Sequence, residues 1–337
     1  MFYNNATINE ILELEKEQDL FSLLIKENRE KRKPYWSDIW DGFMIFKNKS
    51  NHSFSFKFFV AEKQLKELEI LGWDFNYLDA NENNFLNYAY DVKSQTRYSN
   101  DNKTPNFMDD SLTYLIENTK DITQINKCNR NILFSMMSFH TAGFDGKEYF
   151  KMIKEYPNID LNLVDITGRN LMFKALMGPA PFPVIHDLVN KNIQLNLVDK
   201  DGYNLLHMFC FYGKSKDSVI LFNKIFESID NISIKNKYGE AFLDSFITGS
   251  IDNSINDEHK KRYKGWLDIS LNKIKNGEFK KSQECYDGLL NILTEHKAKY
   301  QSIENDVDYE QAIKALNYMK LNDILEVNNT NKRKFKV

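Results

Sequence analysis

The sequence predicts an all-α fold made of stacked helix–turn–helix repeats. Three observations lead there. Five stretches share one pattern, in which an Asp or Asn anchor is followed five residues later by a small residue and then an apolar pair. Between these stretches apolar residues recur at i, i+3 and i+4, as in helices with one buried face. The 337 residues include only 13 Gly and 6 Pro, too few for the many tight hairpins of an all-β fold.

The patterned stretches run from Asn76 to Leu86, Thr123 to Leu133, Asn162 to Met172, Asn196 to Leu206 and Ser233 to Leu243. Their anchors are Asp79, Asn126, Asp165, Asp199 and Asn236, spaced 47, 39, 34 and 37 residues apart. Such a period marks an array of small units, none able to bury its apolar face alone. Each anchor opens a tight turn whose third following residue needs a positive φ. Gly168, Gly202 and Gly239 suit that position, and Asn129 is the best substitute for Gly. Glu82 does not suit it, so the run Asn81–Asn84 predicts a turn shifted by one residue. Asn204 precedes an apolar pair and can cap the helix that follows.

The helices show their periodicity at Leu65, Leu68 and Leu71, and at Tyr149, Met152 and Ile153. They show it again at Val184, Ile185 and Leu188, and at Val219, Phe222, Ile225 and Phe226. The pattern resembles the ankyrin repeat, with a period of about 33 residues and the motif D-x-x-G-x-T-P-L-H-x-A before two antiparallel helices. The fourth copy matches best, through Asp199, Gly202, Asn204 in place of Thr, Leu206 and His207. The third supplies Asp165, Gly168, Asn170 and Ala175, while the family's Pro is missing throughout. The resemblance covers about residues 50–275. It implies a solenoid with short hairpin tips, and gives His207 a structural hydrogen bond to a neighbouring repeat.

Around this array the sequence predicts an N-terminal helical cap over 1–49, with a helix from Ile8 to Lys33. A C-terminal cap is expected over 276–327, with helices at Ser282–Tyr300 and Tyr309–Val327. A disordered tail is expected over 328–337. The 47-residue spacing predicts a polar surface loop near 94–110. The Pro-rich stretch 178–183 predicts a rigid connection between inner and outer helices.

Composition and motifs narrow the function. A formal charge of −3 argues against a strongly basic nucleic-acid binder. No run of about 18 apolar residues is present to span a bilayer, and the start of the chain has no apolar signal core. Three dispersed cysteines (Cys128, Cys210, Cys285) fit a reducing compartment, so a cytoplasmic location is expected. There is no G-x-x-x-x-G-K-[ST], G-x-S-x-G or H-E-x-x-H pattern, and the six His lie far apart. Neither an enzyme nor a cofactor is expected. Cys210 reads as an inert core thiol.

What remains is non-covalent protein binding by a chain that is a monomer when free. The resemblance to ankyrin-like arrays, which bind through hairpin tips and the exposed side of their inner helices, implies by position a binding surface of Arg130, Phe139, Arg169, Met177, Tyr203, Phe211, Tyr212 and Tyr238. Tyr and Arg dominate interface energetics, which makes an aromatic strip flanked by two Arg a suitable binding face. The favoured role is a bacterial immunity protein or antitoxin that occupies a toxin. The alternatives are an effector or adaptor that recruits a cellular protein and, from a different class, an enzyme with a site in the C-terminal helices.

Overall fold

The computed structural model describes residues 21–22, 25–26, 33–39, 62–70, 72–96, 107–137, 146–178, 180–211, 216–251, 256–300 and 309–334. Among the described residues the chain is all-helical, with one isolated bridge between Val198 and Asn204 and no other strand pairing. The helices are α1 (Glu62–Ile70), α2 (Phe85–Thr96), α3 (Phe107–Asn118), α4 (Ile132–Met137), α5 (Lys147–Glu155), α6 (Leu171–Met177) and α7 (Phe182–Asn190). A 3₁₀ helix follows at Leu205–Phe211, then α8 (Lys216–Ser228), α9 (Phe242–Ile251), α10 (Asp257–Asn276), α11 (Gln283–Tyr300) and α12 (Tyr309–Lys334). Most predicted helices fall where the periodicity placed them. The N-terminal cap helix lies mainly outside the described residues.

Three boundaries differ from the sequence reading. Residues 94–96 and 107–110 are helical, which leaves 97–106 of the expected loop outside the described residues. The last helix continues to Lys334 instead of ending in a tail at 328. The helix at Leu205–Phe211 is 3₁₀, not α. Its side chains are nearly all buried from Leu205 to Phe209, so packing fixes this segment and helix propensity does not.

The chain forms two compact units, one of residues 1–166 and 178–184, the other of 167–177 and 185–337. In the first, Trp36, Phe75 and Phe85 pack ring against ring, with centroids 4.8 Å (Trp36–Phe85) and 5.0 Å (Phe75–Phe85) apart. The Trp36 indole N–H donates to the Tyr77 carbonyl at 2.9 Å, so its one polar atom is satisfied inside the core. In the second, Phe222 stacks on Trp266 at 4.9 Å and Phe209 meets both rings edge-on. Trp266 lies on α10, so the second helix after the fifth turn reaches Phe222 on α8. Asn256 caps α10 by accepting the His259 N–H, and Gly277 ends it at φ 73°. A C-terminal pair, α11 and α12, then packs together. The Tyr286 hydroxyl donates to the Asp323 carboxylate at 2.6 Å.

The five turns sit on the five predicted anchors, each with a positive φ three residues on. The angles are 63° at Glu82, 56° at Asn129, 85° at Gly168, 82° at Gly202 and 78° at Gly239. The first turn is not shifted: Asp79 N–H donates to Asn83 C=O and Glu82 N–H to Asp79 C=O, as at Asn126 and Asp199. Glu82 therefore bears the left-handed strain that Gly avoids elsewhere. At Gly202 a side chain is also excluded by space, since a Cβ would stand 2.8 Å from Asn236 Cα. We predict that Glu82→Gly raises the stability of the first unit by up to about 1 kcal/mol. Gly202→Ala lowers that of the second by about 2 kcal/mol or more. Urea midpoints of the two variants test both signs.

Candidate functional site

The turns carry the candidate site. Counting the anchor as position 0, a side-chain oxygen at four of the five anchors accepts the N–H groups of positions 2 and 4. Asp79 Oδ1 takes Asn81 and Asn83 at 2.8 and 2.9 Å, and Asn126 Oδ1 takes Cys128 and Arg130 at 2.9 and 3.0 Å. Asp199 Oδ1 takes Asp201 and Tyr203, both at 2.9 Å, and Asn236 Oδ1 takes Tyr238 and Glu240 at 2.9 and 3.1 Å. Successive turns are joined by backbone. In the first unit Lys127 N–H donates to Asn81 C=O and Ile166 N–H to Cys128 C=O. In the second, Lys200 N–H donates to Thr167 C=O and Lys237 N–H to Asp201 C=O. The first turn has a predecessor too, because Ala80 N–H donates to Pro34 C=O and Trp36 N–H reaches Asp79 Oδ2.

Position 4 faces the next anchor, and its chemistry matches that anchor's charge. Before Asp165 it is Arg130, bonded to Asp165 Oδ2 at 2.6 and 2.8 Å. Before Asp199 it is Arg169, whose guanidinium meets Asp199 Oδ2 at 2.7 Å. Before the neutral Asn126 it is Asn83, whose oxygen accepts from Asn126 Nδ2 at 2.8 Å. Before the neutral Asn236 it is Tyr203. The Asp199 side chain is 1% exposed, so its charge needs a partner.

This geometry changes the part played by the predicted strip. Arg130 and Arg169 are half-buried and committed to the lattice, and Arg169 also reaches Met177 Sδ at 3.6 Å. Tyr203 is half-buried with its ring edge-on to His207 at 5.4 Å. Of the five whose side chains are described, Tyr238 alone is exposed, at 68%. Phe139 and Tyr212 lie outside the described residues, as does the side chain of Phe211. The sequence reading missed Ile125 and Ile166 in the first unit and Val198 in the second, all exposed on the turns. Their signal was an apolar residue next to an anchor, at positions −1 or 1, where no helix can bury it.

The inner-helix caps and His207 finish the turns. Asn131, Asn170 and Asn204 each accept N–H groups of the following helix through Oδ1. Asn131 and Asn170 also donate to the Asp160 and Gln194 carbonyls at 2.7 Å. His207 Nε2 lies 3.3 Å from the Glu240 carbonyl, linking the fourth turn to the fifth, and Nδ1 lies 2.8 Å from Asn204 Oδ1. Burial pulls the His207 pKa below its usual value, outweighing the carbonyl and Asn204 contacts that favour the proton. Cys285 is buried and its thiol is pushed up to about 11, which keeps it protonated. Among the described residues no three His, Cys, Asp or Glu cluster as a metal site, and no helix is long and apolar enough to cross a membrane. No protein-family model matches the chain, and no curated protein matches its sequence.

Two outcomes follow for the lattice. Arg169→Leu leaves the Asp199 carboxylate buried without its cation and costs about 3 kcal/mol. Adding Asp199→Asn restores most of that loss, because Asn126 and Asn236 already serve as neutral anchors. A double-mutant cycle in urea measures the coupling. For His207 the folded pKa lies below the unfolded one, so the unfolded chain takes up the proton first on acidification. The stability His207 confers is present above its ordinary pKa of 6.5 and is lost as pH falls. Urea midpoints measured from about pH 7.5 to about pH 5.5 drop in the parent, and the drop is shallower in His207→Gln.

Proposed function

We propose that the chain is a non-catalytic protein-binding module, an ankyrin-like solenoid whose turn face occupies a partner protein. The best-supported role is that of a bacterial immunity protein or antitoxin, monomeric when free, that neutralises a toxin in the cytoplasm. The observation that carries the reading is the division of labour in the turns. The anchors and the position-4 side chains of Asn83, Arg130 and Arg169 are bonded within the turns, while in each unit apolar side chains stay exposed there, Ile125 and Ile166 in the first and Val198 and Tyr238 in the second. Apolar side chains held rigidly at the surface lose little entropy on binding. The immunity role draws further support from the divergent repeats and the lack of any catalytic motif in the sequence.

A second reading has its own observation. Tyr318, Leu321 and Ile324 lie on α12 and are 68%, 54% and 43% exposed. A second apolar face suits an adaptor that holds two proteins at once.

The test is co-purification with the product of the adjacent reading frame, followed by calorimetry. A neutraliser forms a tight stoichiometric complex, and Val198→Ser with Tyr238→Ala weakens it by about 2 kcal/mol, roughly thirtyfold. Undiminished toxin neutralisation by that double variant would remove the turn face from the reading. An adaptor instead loses one of its two partners when Tyr318 and Leu321 become Ser.

A further inference from the structure

Among the described residues the fifth turn ends the ladder, and none of them covers its outer tip. In the second unit, the links from outer to next inner helix span residues 191–204 and 229–241, that is 14 and 13 residues. The link from α10 to α11 spans residues 277–282, only 6 residues, which is too short to send out another turn. α11 instead packs low on the fifth turn: a Cβ on Gly288 would collide with the Ser233 side chain, and Lys235 meets Glu295 at 3.6 Å. The tip above stays clear of the described residues. A Cβ on Gly168 would stand 3.0 Å from Asp199 Cα and one on Gly202 2.8 Å from Asn236 Cα, but one on Gly239 meets nothing within 4 Å.

The groups left at that edge repeat those used between turns. The position-2 carbonyls of Thr167 and Asp201 each accept an N–H from the following turn. Tyr238, the equivalent residue, accepts none among the described residues. Position 4, which elsewhere matches the next anchor's charge, is here the exposed Glu240. Lys237 pairs back with Asp201 at 3.3 Å, with its ammonium 5.3 Å from the Tyr238 ring centroid, while the exposed Glu240 carboxylate has one long contact, from its own anchor's Asn236 Nδ2 at 3.5 Å.

We propose that the open edge at Lys237–Glu240 binds a cationic β-turn of a partner protein as a sixth rung. A partner N–H would pair with the Tyr238 carbonyl, and an Arg or Lys at the anchor position would pair with Glu240. Adding a strand-like segment to an unpaired edge is an established mode of recognition. A second copy of this edge is excluded as the occupant by its chemistry, since two edges facing each other would oppose Glu240 to Glu240 and carbonyl to carbonyl. The proposal rests on the protein-binding reading and commits it to one end of the array.

The probe is a pair of disulfide-closed turn peptides, identical except for Arg or Asp at the anchor position. They are titrated into the full chain while the amide resonances of residues 237–240 and the affinity are followed. The Arg peptide should move those amides and bind several-fold more tightly than the Asp peptide. Glu240→Lys should reverse the order. Gly239→Asn keeps the left-handed turn, as Asn129 does at φ 56°, but fills the open space, and should abolish binding of both peptides. Equal affinity for the two peptides, no binding, or undiminished binding by Gly239→Asn overturns the proposal. A dimer of the parent that Gly239→Asn dissolves also overturns it, by assigning the edge to a second copy. A toxin complex that survives in Gly239→Asn would leave the turn-face reading standing without this edge.

Discussion

The rest of the structure depends on the anchor side chain at the start of each turn. One oxygen of Asp79, Asn126, Asp199 or Asn236 holds two N–H groups of its own turn in place. That bond pair closes the turn tightly enough for the next turn to lie against it at backbone distance. Where the anchor is Asp165 or Asp199, the other oxygen takes the guanidinium of the preceding turn, and the buried charge is neutralised. An ion pair of this kind contributes little net energy, but breaking it leaves a desolvated charge. The pairs Arg130–Asp165 and Arg169–Asp199 therefore act as register pins more than as sources of stability.

The helices depend on these turns in a direct way. Several are short, with α4 spanning 6 residues and α6 spanning 7. Isolated helices of that length do not hold in water, because nucleation costs more than a few hydrogen bonds return. They persist here because Asn131 and Asn170 cap their first turns and because their apolar residues are buried. Ile132, Leu133, Phe134, Met136 and Met137 are all buried on α4. The 3₁₀ segment at Leu205–Phe211 shows the same priority. His207 must reach both Asn204 and the Glu240 carbonyl, and the local winding accommodates it.

Much of this was legible in the residues. The anchors, the positive-φ positions and the Asn caps follow from side-chain chemistry that acts within five residues, so a linear reading finds them. The position-4 pairing was missed, although its signal is present: Arg130 precedes an Asp anchor by 35 residues and Arg169 by 30, while Asn83 and Tyr203 precede Asn anchors. Reading Arg as an interface residue concealed that match. Glu82 misled in the opposite direction, because its strain is outweighed by the anchor bonds that Asp79 makes on either side of it.

The sequence by itself determined the all-α class, the positions of the five turns and the helix faces, because each is set by local hydrogen bonding or by apolar periodicity. The tertiary structure alone decided which turn residues are consumed by the lattice and which remain outside. Arg169, at position 4 of its turn, and Tyr238, at position 2 of its own, are both tip residues of types favoured at interfaces. Arg169 is taken up by the Asp199 anchor of the following turn, while no described residue of a further turn lies against the tip at Tyr238. That depends on the 6 residues between α10 and α11, whose shortness becomes meaningful only once the neighbouring turns are in place.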